Sequence, residues 1–353
     1  MPLADYALIV GINLYPALTS LQGAENDARD FHDWVISPDG GGVASSNATL
    51  LVTSNFAPFP SAEDAKPAAH QIEDFFTKVD IAANSNNKEG LGLKAGKRIW
   101  LFFSGHGFAP TLDRSAVLLA NATSSRVHNV AALLWADRLH EGGWFDDVFL
   151  FQDACRSHMA DVDLTPPFLR KKVAPLNQVR RRFYAFSAKN RQISKEVPIV
   201  GERVQGVFTT TLLQGLKGKA RDPHTGALTA AQLKAYLQDN MIKLLPAGDL
   251  ADDEIAKMPE VVNPDPFDIL PPTAAAVSTF PVSVKISQPG GPARIENSAF
   301  VAVDSIDPSP AEWQRNLPRG LYKLVVDGLG ELLFQVTGAT AADGTGKVVD
   351  VTI

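Results

Sequence analysis

The only cysteine of this chain and one of its histidines each follow a strongly apolar segment. Arg98–Ser104 leads to His106, and Val148–Gln152 leads to Cys155. A cysteine thiolate attacks carbonyl carbons, and a neighbouring imidazole can take up the thiol proton. If the two residues meet, they predict acyl transfer, with Cys155 as nucleophile and His106 as base. The alternative is a buried structural cysteine and a loop histidine that never meet.

The surrounding sequence favours the first interpretation. Continuous apolar runs such as 98–104 and 148–152 are typical of strands buried on both faces of a parallel sheet. Functional groups of such sheets lie beyond the carboxyl ends of the strands. His106 and Cys155 are 49 positions apart (155 − 106), which leaves room for a crossover helix at Val130–Leu139. Both residues are therefore expected at one edge of one sheet.

The glycines beside His106 allow a tight turn and a close approach of substrate. Backbone N–H groups next to a nucleophile can stabilise a tetrahedral oxyanion. The candidates for that oxyanion hole are the N–H groups of Gly107 and Cys155.

Strands and amphipathic helices alternate over about the first 270 residues. This alternation predicts a three-layer α/β/α sandwich with a mostly parallel sheet. The predicted strands are Tyr6–Val10, Thr49–Val52, Arg98–Ser104, Val148–Gln152 and Phe183–Ser187. The predicted helices are Glu25–Val35, Ala68–Val79, Val130–Leu139, Phe208–Leu216 and Thr229–Leu245, the last with Thr229 as N-cap.

The C-terminal part of the chain has a different character. Six prolines fall between Pro259 and Pro281, which is typical of a connection between domains. Short valine-rich segments separated by turn residues follow, and residues 325–331 indicate a hairpin. The strands predicted there are Phe280–Ser287, Ala299–Asp304, Leu321–Asp327, Glu331–Thr337 and Val348–Ile353. We therefore predict an α/β domain over 1–272 and a small all-β, sandwich-like domain over 274–353.

The composition of the chain limits the classes of binding partner that are expected. The net charge of −6 disfavours nucleic acid and anionic membranes as main partners. No apolar run reaches the roughly 18 residues of a membrane helix. A single cysteine and the lack of a recognisable signal peptide favour a cytoplasmic location.

Two motifs resemble those of the caspase and metacaspase superfamily, most closely those of bacterial metacaspase-type proteins. They are Ser-Gly-His-Gly at 104–107 and Asp-Ala-Cys-Arg-Ser at 153–157. The caspase signature is Gln-Ala-Cys-Arg-Gly with a histidine about 50 residues upstream. The chain keeps Ala-Cys-Arg and that spacing but has Asp153 and Ser157 at the first and last positions. Segments 7–28 and 186–209 also resemble this superfamily, whereas the C-terminal domain lies outside the resemblance.

The resemblance implies a cysteine endopeptidase and a substrate preference. Caspases bind an aspartate of the substrate, before the scissile bond, with basic groups of the pocket. Metacaspases bind an Arg or Lys of the substrate with acidic groups. The positions that match the metacaspase pocket acids are Asp27 and Asp153, and Ser104 and Ser187 lie in the matching motifs as further substrate-binding residues. Two carboxylates would bind a guanidinium and repel an acidic side chain. We therefore expect cleavage of proteins after exposed Arg, with Lys second.

A basic stretch lies in the segment 157–182, where caspase-like enzymes are processed between their subunits. Its candidates for self-cleavage are Arg170, Lys171, Lys172, Arg180, Arg181 and Arg182. A solvated basic loop is the alternative. Nucleic-acid binding by this stretch is not expected, because no aromatic platform accompanies it.

The resemblance implies no required cofactor, although some metacaspases need Ca²⁺. Acids at 249–254 and at Asp161 and Asp163 do not match an EF-hand loop, and no metal site is predicted. Signalling, stress or defence proteolysis is implied by the resemblance alone. The rival functions are an Asp-specific protease and a non-catalytic scaffold, with the β-domain binding a partner or regulating the active site.

Overall fold

A computed structural model of the chain describes residues 3–111, 114–171, 173–175, 178–189, 194–200, 203–222, 225–245, 259–262, 265–272, 279–298, 300–337 and 349–353. Contacts divide the chain into two compact units. The first comprises Met1–Ala220 with Leu228–Leu270, and the second Arg221–Ala227 with Pro271–Ile353. The division at 270/271 lies close to the predicted junction at 272–274.

The first unit contains all five α-helices of the described chain. They are α1 (Ala24–Ile36), α2 (Ala69–Lys88), α3 (Ala132–Glu141), α4 (Val207–Gln214) and α5 (Ala230–Asn240). Its strands are β1 (Tyr6–Gly11), β2 (Ala48–Val52), β3 (Arg98–Gly105), β4 (Gly107–Thr111), β5 (Arg114–Leu118), β6 (Asn129–Val130), β7 (Asp147–Ala154), β8 (Ser157–His158), β9 (Arg181–Phe186), β10 (Glu196–Val200), β11 (Arg203–Gly206), β12 (Leu228–Thr229), β13 (Glu260–Val261) and β14 (Asp268–Leu270).

Six strands form the central sheet in the order β13-β9-β7-β3-β1-β2. All neighbours are parallel except β13, which runs antiparallel to β9. The predicted mostly parallel sheet is therefore confirmed. Strands β4, β5, β6 and β8 form a second, small sheet that continues from the carboxyl ends of β3 and β7.

Helices cover both faces of the central sheet, which explains why β3 is apolar along its length. Leu101 and Phe103 of β3 pack in one core with α2 and α3, where Phe76 stacks on Trp135 at a ring-centroid distance of 3.6 Å. Trp100 of β3 packs in the opposite core with α1, α4 and α5. Because both faces are buried, period-two alternation of polar and apolar residues is lost.

Several boundaries differ from the sequence-based prediction. Helix α2 continues nine residues beyond the predicted end at Val79 (88 − 79), because its last turns are polar and exposed and carry little apolar periodicity. The helix predicted over Thr229–Leu245 ends at Asn240 and is followed by a 3₁₀ turn at Ile242–Leu244. The predicted cap is confirmed, since Thr229 accepts a hydrogen bond from the Gln232 N–H.

The second unit consists of two β-sheets. Its strands are β15 (Thr279–Lys285), β16 (Ala293–Asn297), β17 (Ala302–Ile306), β18 (Glu312–Pro318), β19 (Gly320–Val326), β20 (Gly330–Val336) and β21 (Val349–Thr352). The sheet orders are β18-β15-β21 and β17-β16-β19-β20. Residues of both sheets share one core, which includes Trp313, Tyr322 and Leu324. The predicted hairpin is confirmed by the antiparallel pair β19–β20, whereas β16 and β18 were not predicted, since both are rich in charged residues.

In the part of the chain that the structure describes, no helix is both long and apolar enough to cross a membrane.

Candidate active site

The sheet brings Cys155 and His106 to neighbouring positions. Gly105 pairs with Ala154 at the ends of β3 and β7, and Phe108 pairs with Ser157 at the starts of β4 and β8. Both parallel pairings have an offset of 49 (154 − 105 and 157 − 108). His106 and Cys155 have the same offset and lie between the two pairings. They are therefore juxtaposed at the carboxyl edge of the central sheet.

Gly107 is required by this close approach of the two chains. A Cβ atom at Gly107 would lie 2.5 Å from the carbonyl oxygen of Cys155 and 2.8 Å from the Cβ of Ala154. Any side chain would therefore force the histidine and cysteine segments apart. The assignment of the Gly107 and Cys155 N–H groups to an oxyanion hole stays a prediction.

The imidazole of His106 is held by a backbone carbonyl. Its Nε2 lies 2.7 Å from the carbonyl oxygen of Thr19. A carbonyl can only accept, so Nε2 carries the proton, and Nδ1 is left as the basic nitrogen. Sequence reasoning assigned no group to this orienting role and could not have found Thr19, because a backbone carbonyl has no residue-type signature.

Tyr15, which lies in the same loop as Thr19 between β1 and α1, also supports His106. Its hydroxyl accepts a hydrogen bond from the His106 N–H at 2.9 Å and donates one to the Leu118 carbonyl at 3.3 Å. The Tyr15 and His106 rings lie 4.7 Å apart, centroid to centroid. Tyr15 is buried, and a Cβ at Gly105 would lie 2.6 Å from its hydroxyl. Glycine at position 105 therefore leaves room for this contact.

The Cys155 side chain is partly exposed. Burial raises the pKa of its thiol, and the negative charges of Asp153 and Glu196 raise it further, against a hydrogen bond with the Ser194 backbone that lowers it. The thiol is consequently the resting form at neutral pH. A proton acceptor such as Nδ1 of His106 is needed to generate the thiolate.

Asp27 and Asp153 come together at Gly206, near the strand end that carries Cys155, as the pocket hypothesis requires. Asp27, in α1, accepts hydrogen bonds from Ser104 Oγ and the Gly206 N–H. Asp153, at the end of β7, accepts from the N–H and Oγ1 of Thr209. A Cβ at Gly206 would lie 2.1 Å from Asp153 Oδ2 and 2.8 Å from Asp27 Oδ2. Gly206 is therefore enclosed by the two carboxylates.

These two acids are buried without an ion-pair partner among the described residues. Asp27 is 1% exposed and Asp153 is 5% exposed. Burial raises the pKa of the Asp27 carboxyl well above its usual value, and the charge of Asp153 raises it further. Burial also raises the pKa of Asp153, partly offset by hydrogen bonds from Ser194 and Thr209. A buried acid pair with raised pKa values is typical of a functional site.

A third acid, Glu196, lies near this pair and was not assigned a role from the sequence. Its carboxylate oxygens accept from the Gln22 N–H at 3.2 Å and from the Gly23 N–H at 3.0 Å. Its charge contributes to the raised pKa of both Asp27 and Cys155. Glu196 lies in the segment 186–209 that resembles the superfamily, but the sequence did not show what this glutamate contacts.

The two serines assigned to substrate binding lie behind the acids. Ser104 is 2% exposed and donates to Asp27. Ser187 is 1% exposed; its Oγ accepts from the Ala154 N–H, and it also contributes to the hydrogen bonding of Asp153. In this structure both serines therefore orient the carboxylates and the strand end. Their direct contact with substrate stays a prediction.

The predicted self-cleavage positions separate into two groups. Arg170 and Lys171 are exposed, whereas Lys172 lies outside the described residues. Arg181 and Arg182 lie within β9, where Arg181 makes a bidentate ion pair with Asp147 and Arg182 an ion pair with Asp137. Arg180, just before β9, donates to the Glu141 carbonyl. Cleavage at 181 or 182 would require the removal of a strand from the central sheet.

Metal binding finds no support in the residues that the structure describes, which contain no cluster of three or more potential ligands. Asp161 and Asp163 belong to this part of the chain, but the acids at 249–254 lie outside it. The expectations about Ca²⁺ therefore stay untested.

Comparison with known proteins identifies the family. A family model described as the caspase domain matches residues 4–261. The chain thus belongs to the caspase-domain peptidase family, in agreement with the resemblance carried by its motifs. A probable protease from a Desulfuromonadales bacterium is 26% identical over 222 residues, which are 61% of this chain and 26% of that relative. The chain therefore spans about a quarter of the length of this curated relative.

Two solved structures share a weaker likeness. A protein from Geobacter sulfurreducens is 18% identical, with a TM-score of 0.42, over 74% of this chain and 95% of its own. Caspase-1 from Spodoptera frugiperda is 13% identical, with a TM-score of 0.44, over 73% and 88% of the two chains. The assignment to the family rests on the family match and on the motifs.

Proposed function

We propose that this chain is a cysteine endopeptidase that cleaves proteins after basic residues, Arg before Lys. The observation that carries the specificity is the pair of buried acids, Asp27 and Asp153, which enclose Gly206, with Asp153 two residues before Cys155 in the chain. A guanidinium would supply the missing positive charge and form charge-assisted hydrogen bonds with both carboxylates. An aspartate of the substrate would be repelled there.

Catalysis uses Cys155 and His106. Nδ1 of His106 takes the thiol proton, and the thiolate of Cys155 attacks the carbonyl carbon of the scissile bond. The Thr19 carbonyl, which accepts from Nε2, stabilises the imidazolium that forms. His106 then protonates the leaving amine, the peptide C–N bond breaks, and an acyl-enzyme remains. Water, deprotonated by His106, hydrolyses the thioester and regenerates the thiol.

The pocket acids also link substrate binding to the reactivity of the thiol. The charges of Asp153 and Glu196 contribute to the raised pKa of Cys155. A cationic side chain between these acids would offset their charge and lower that pKa. The thiolate would therefore form most readily when a basic substrate residue is bound.

Self-processing, if it accompanies this specificity, is expected at Arg170 or Lys171. The segment before these residues is anchored on α3, because Leu169 is buried and its carbonyl accepts from Arg138. The segment after them is anchored by the Ala174 N–H, which donates to Glu141 at the end of α3. This end of α3 leads into the start of β7, on the sheet edge opposite to Cys155. Cleavage is therefore expected between two molecules rather than within one.

The decisive experiment is hydrolysis of matched fluorogenic peptides that end in Arg, Lys or Asp, with wild type and Cys155→Ala, with and without Ca²⁺. Arg cleavage that disappears in Cys155→Ala supports the proposal. Asp cleavage would contradict the acidic pocket and retain the nucleophile. A lack of hydrolysis by both intact and Arg170-processed protein would favour the scaffold function.

The self-processing part is tested by mixing. Tagged Cys155→Ala protein serves as substrate for untagged wild type, and the product is identified by mass spectrometry. Cleavage after Arg170 or Lys171 at a rate proportional to wild-type concentration is expected, and Arg170→Ala/Lys171→Ala should resist it. Cleavage of wild type at a rate independent of its concentration would contradict the intermolecular mode.

A further inference from the structure

The loop of residues 13–23 makes two hydrogen bonds with His106. It connects the end of β1 with the start of α1. From this loop Thr19 accepts from Nε2 of His106, and Tyr15 accepts from the His106 N–H. A histidine held by two partners of one loop, one at its imidazole and one at its backbone N–H, is only as well positioned as the loop itself.

The loop is anchored at both ends by side chains from other elements. At its start, the N–H groups of Asn13 and Leu14 donate to Thr53 Oγ1 at 3.3 and 3.2 Å. At its end, the N–H groups of Gln22 and Gly23 donate to the two carboxylate oxygens of Glu196. The second anchor bridges 173 sequence positions between Gly23 and Glu196. A charged acceptor with two N–H donors makes it the stronger of the two.

Glu196 also belongs to the pocket side of the site. It begins β10 and pairs with Gly206, the residue that Asp27 and Asp153 enclose. Its charge acts on Asp27 and on Cys155. The same carboxylate thus lies between the proposed specificity pocket and the loop that holds the base.

We propose that Glu196 is a positioning residue for His106: its carboxylate fixes the end of loop 13–23 and thereby keeps the Thr19 carbonyl on Nε2 of the imidazole. This inference rests on the proposed function for its catalytic consequence, although the structural part holds independently. A residue that served only as a third pocket acid would affect substrate binding and leave the histidine unchanged.

The test compares Glu196→Ala and Glu196→Gln with wild type by two readouts. The first is the tautomer of His106, measured by NMR in protein labelled with ¹⁵N-histidine. The His106 signal is assigned as the one that is missing from the spectrum of His106→Ala. The second is kcat and KM for an Arg peptide, each determined separately. Asp30→Asn is the matched control, because Asp30 connects α1 with β11 through Arg203 and Gln205, so it holds the hairpin of β10 and β11 without bonding to the loop.

We expect Glu196→Ala to lose the preference for the Nε2–H tautomer and to lower kcat about tenfold to a hundredfold. Glu196→Gln retains one carbonyl acceptor, so its loss should be smaller, and Asp30→Asn should retain the wild-type tautomer and kcat. The proposal is overturned if Glu196→Ala keeps both the tautomer and kcat and raises only KM. The tautomer is measured without substrate. An inactive wild type would therefore contradict the proposed function, whereas the tautomer measurement would still test this inference.

Discussion

Two buried acids at the carboxyl edge of the central sheet differ from two acids at its amino edge in their charge partners. At the amino ends of the strands, Asp5 is paired with Arg98 at 2.7 Å, and Asp147 with Arg181 at 2.6 Å. At the carboxyl ends, Asp27 and Asp153 are buried beside each other, and no described Lys, Arg or His forms an ion pair with them.

Under the proposed function, this difference separates structural charges from substrate-binding ones. A paired acid at the amino edge already has the cation that stabilises its ionised form. An unpaired buried acid raises the free energy of the folded protein when it ionises. Proteins retain such acids at sites where a bound ligand supplies the positive partner. Since Cys155 and His106 lie at the same edge as the unpaired acids, a cationic substrate residue is the expected partner.

The largest expected effect tests which edge of the sheet is reactive. Cys155→Ala and His106→Ala should each lower kcat/KM for an Arg peptide by about a thousandfold or more, because neither nucleophile nor base has a substitute. His158→Asn is the control, since His158 is exposed and only three residues after Cys155. The assignment of the base is wrong if His158→Asn is as inactive as His106→Ala.

The second prediction contrasts an acid from each edge. Asp153→Asn should lower kcat/KM for Arg and Lys peptides about a hundredfold, because one charge partner of the substrate is lost. Asp146→Asn, which loses the ion pair with Lys94 at the amino edge, should leave kcat/KM unchanged. Equal effects of the two variants would show that the edges do not differ in function.

The third prediction concerns the support of the base. Tyr15→Phe keeps the ring contact with His106 and removes the hydroxyl that bridges the His106 N–H and the Leu118 carbonyl. We expect kcat to fall about fivefold with KM unchanged, since the loss of a hydrogen bond worth about 1 kcal/mol corresponds to about fivefold in rate. Tyr236→Phe removes a hydroxyl bonded to Gln214 and should not change kcat. A change confined to KM would contradict the positioning role.

The smallest effect is on stability and has opposite signs at the two edges. Because folding raises the pKa of Asp27, the stability that depends on this group is fully present below the unfolded pKa of about 3.9 and declines as the pH rises through the folded value. Asp27→Asn should therefore raise Tm relative to wild type at neutral pH, and this gain should vanish near pH 3. Asp5→Asn, which loses a paired charge, should lower Tm at neutral pH.

Thermal melts of both variants between pH 3 and pH 8 measure this difference. A Tm of Asp27→Asn that stays below wild type throughout this range would show that hydrogen bonds from Ser104 and Gly206 outweigh the cost of ionisation.

Local patterns were sufficient for the framework of this protein. The apolar runs before His106 and Cys155 predicted buried parallel strands, and their polar ends predicted one shared edge. The family match agrees with the motifs. Strands β16 and β18 were not predicted, since their charged residues obscure the alternation that reveals a half-buried strand.

The sequence by itself determined which residues can do chemistry and which strand ends they follow. This was possible because the hydrophobic pattern of a strand and the length of a crossover are local properties of the sequence. Only the tertiary structure decided what surrounds them. It placed Thr19, Tyr15 and Glu196 around the site through backbone groups and contacts that span up to 174 sequence positions. It also left Asp27 and Asp153 without an ion-pair partner among the described residues at one edge and paired Asp5 and Asp147 at the other, since burial and charge neighbours depend on the packing of distant segments.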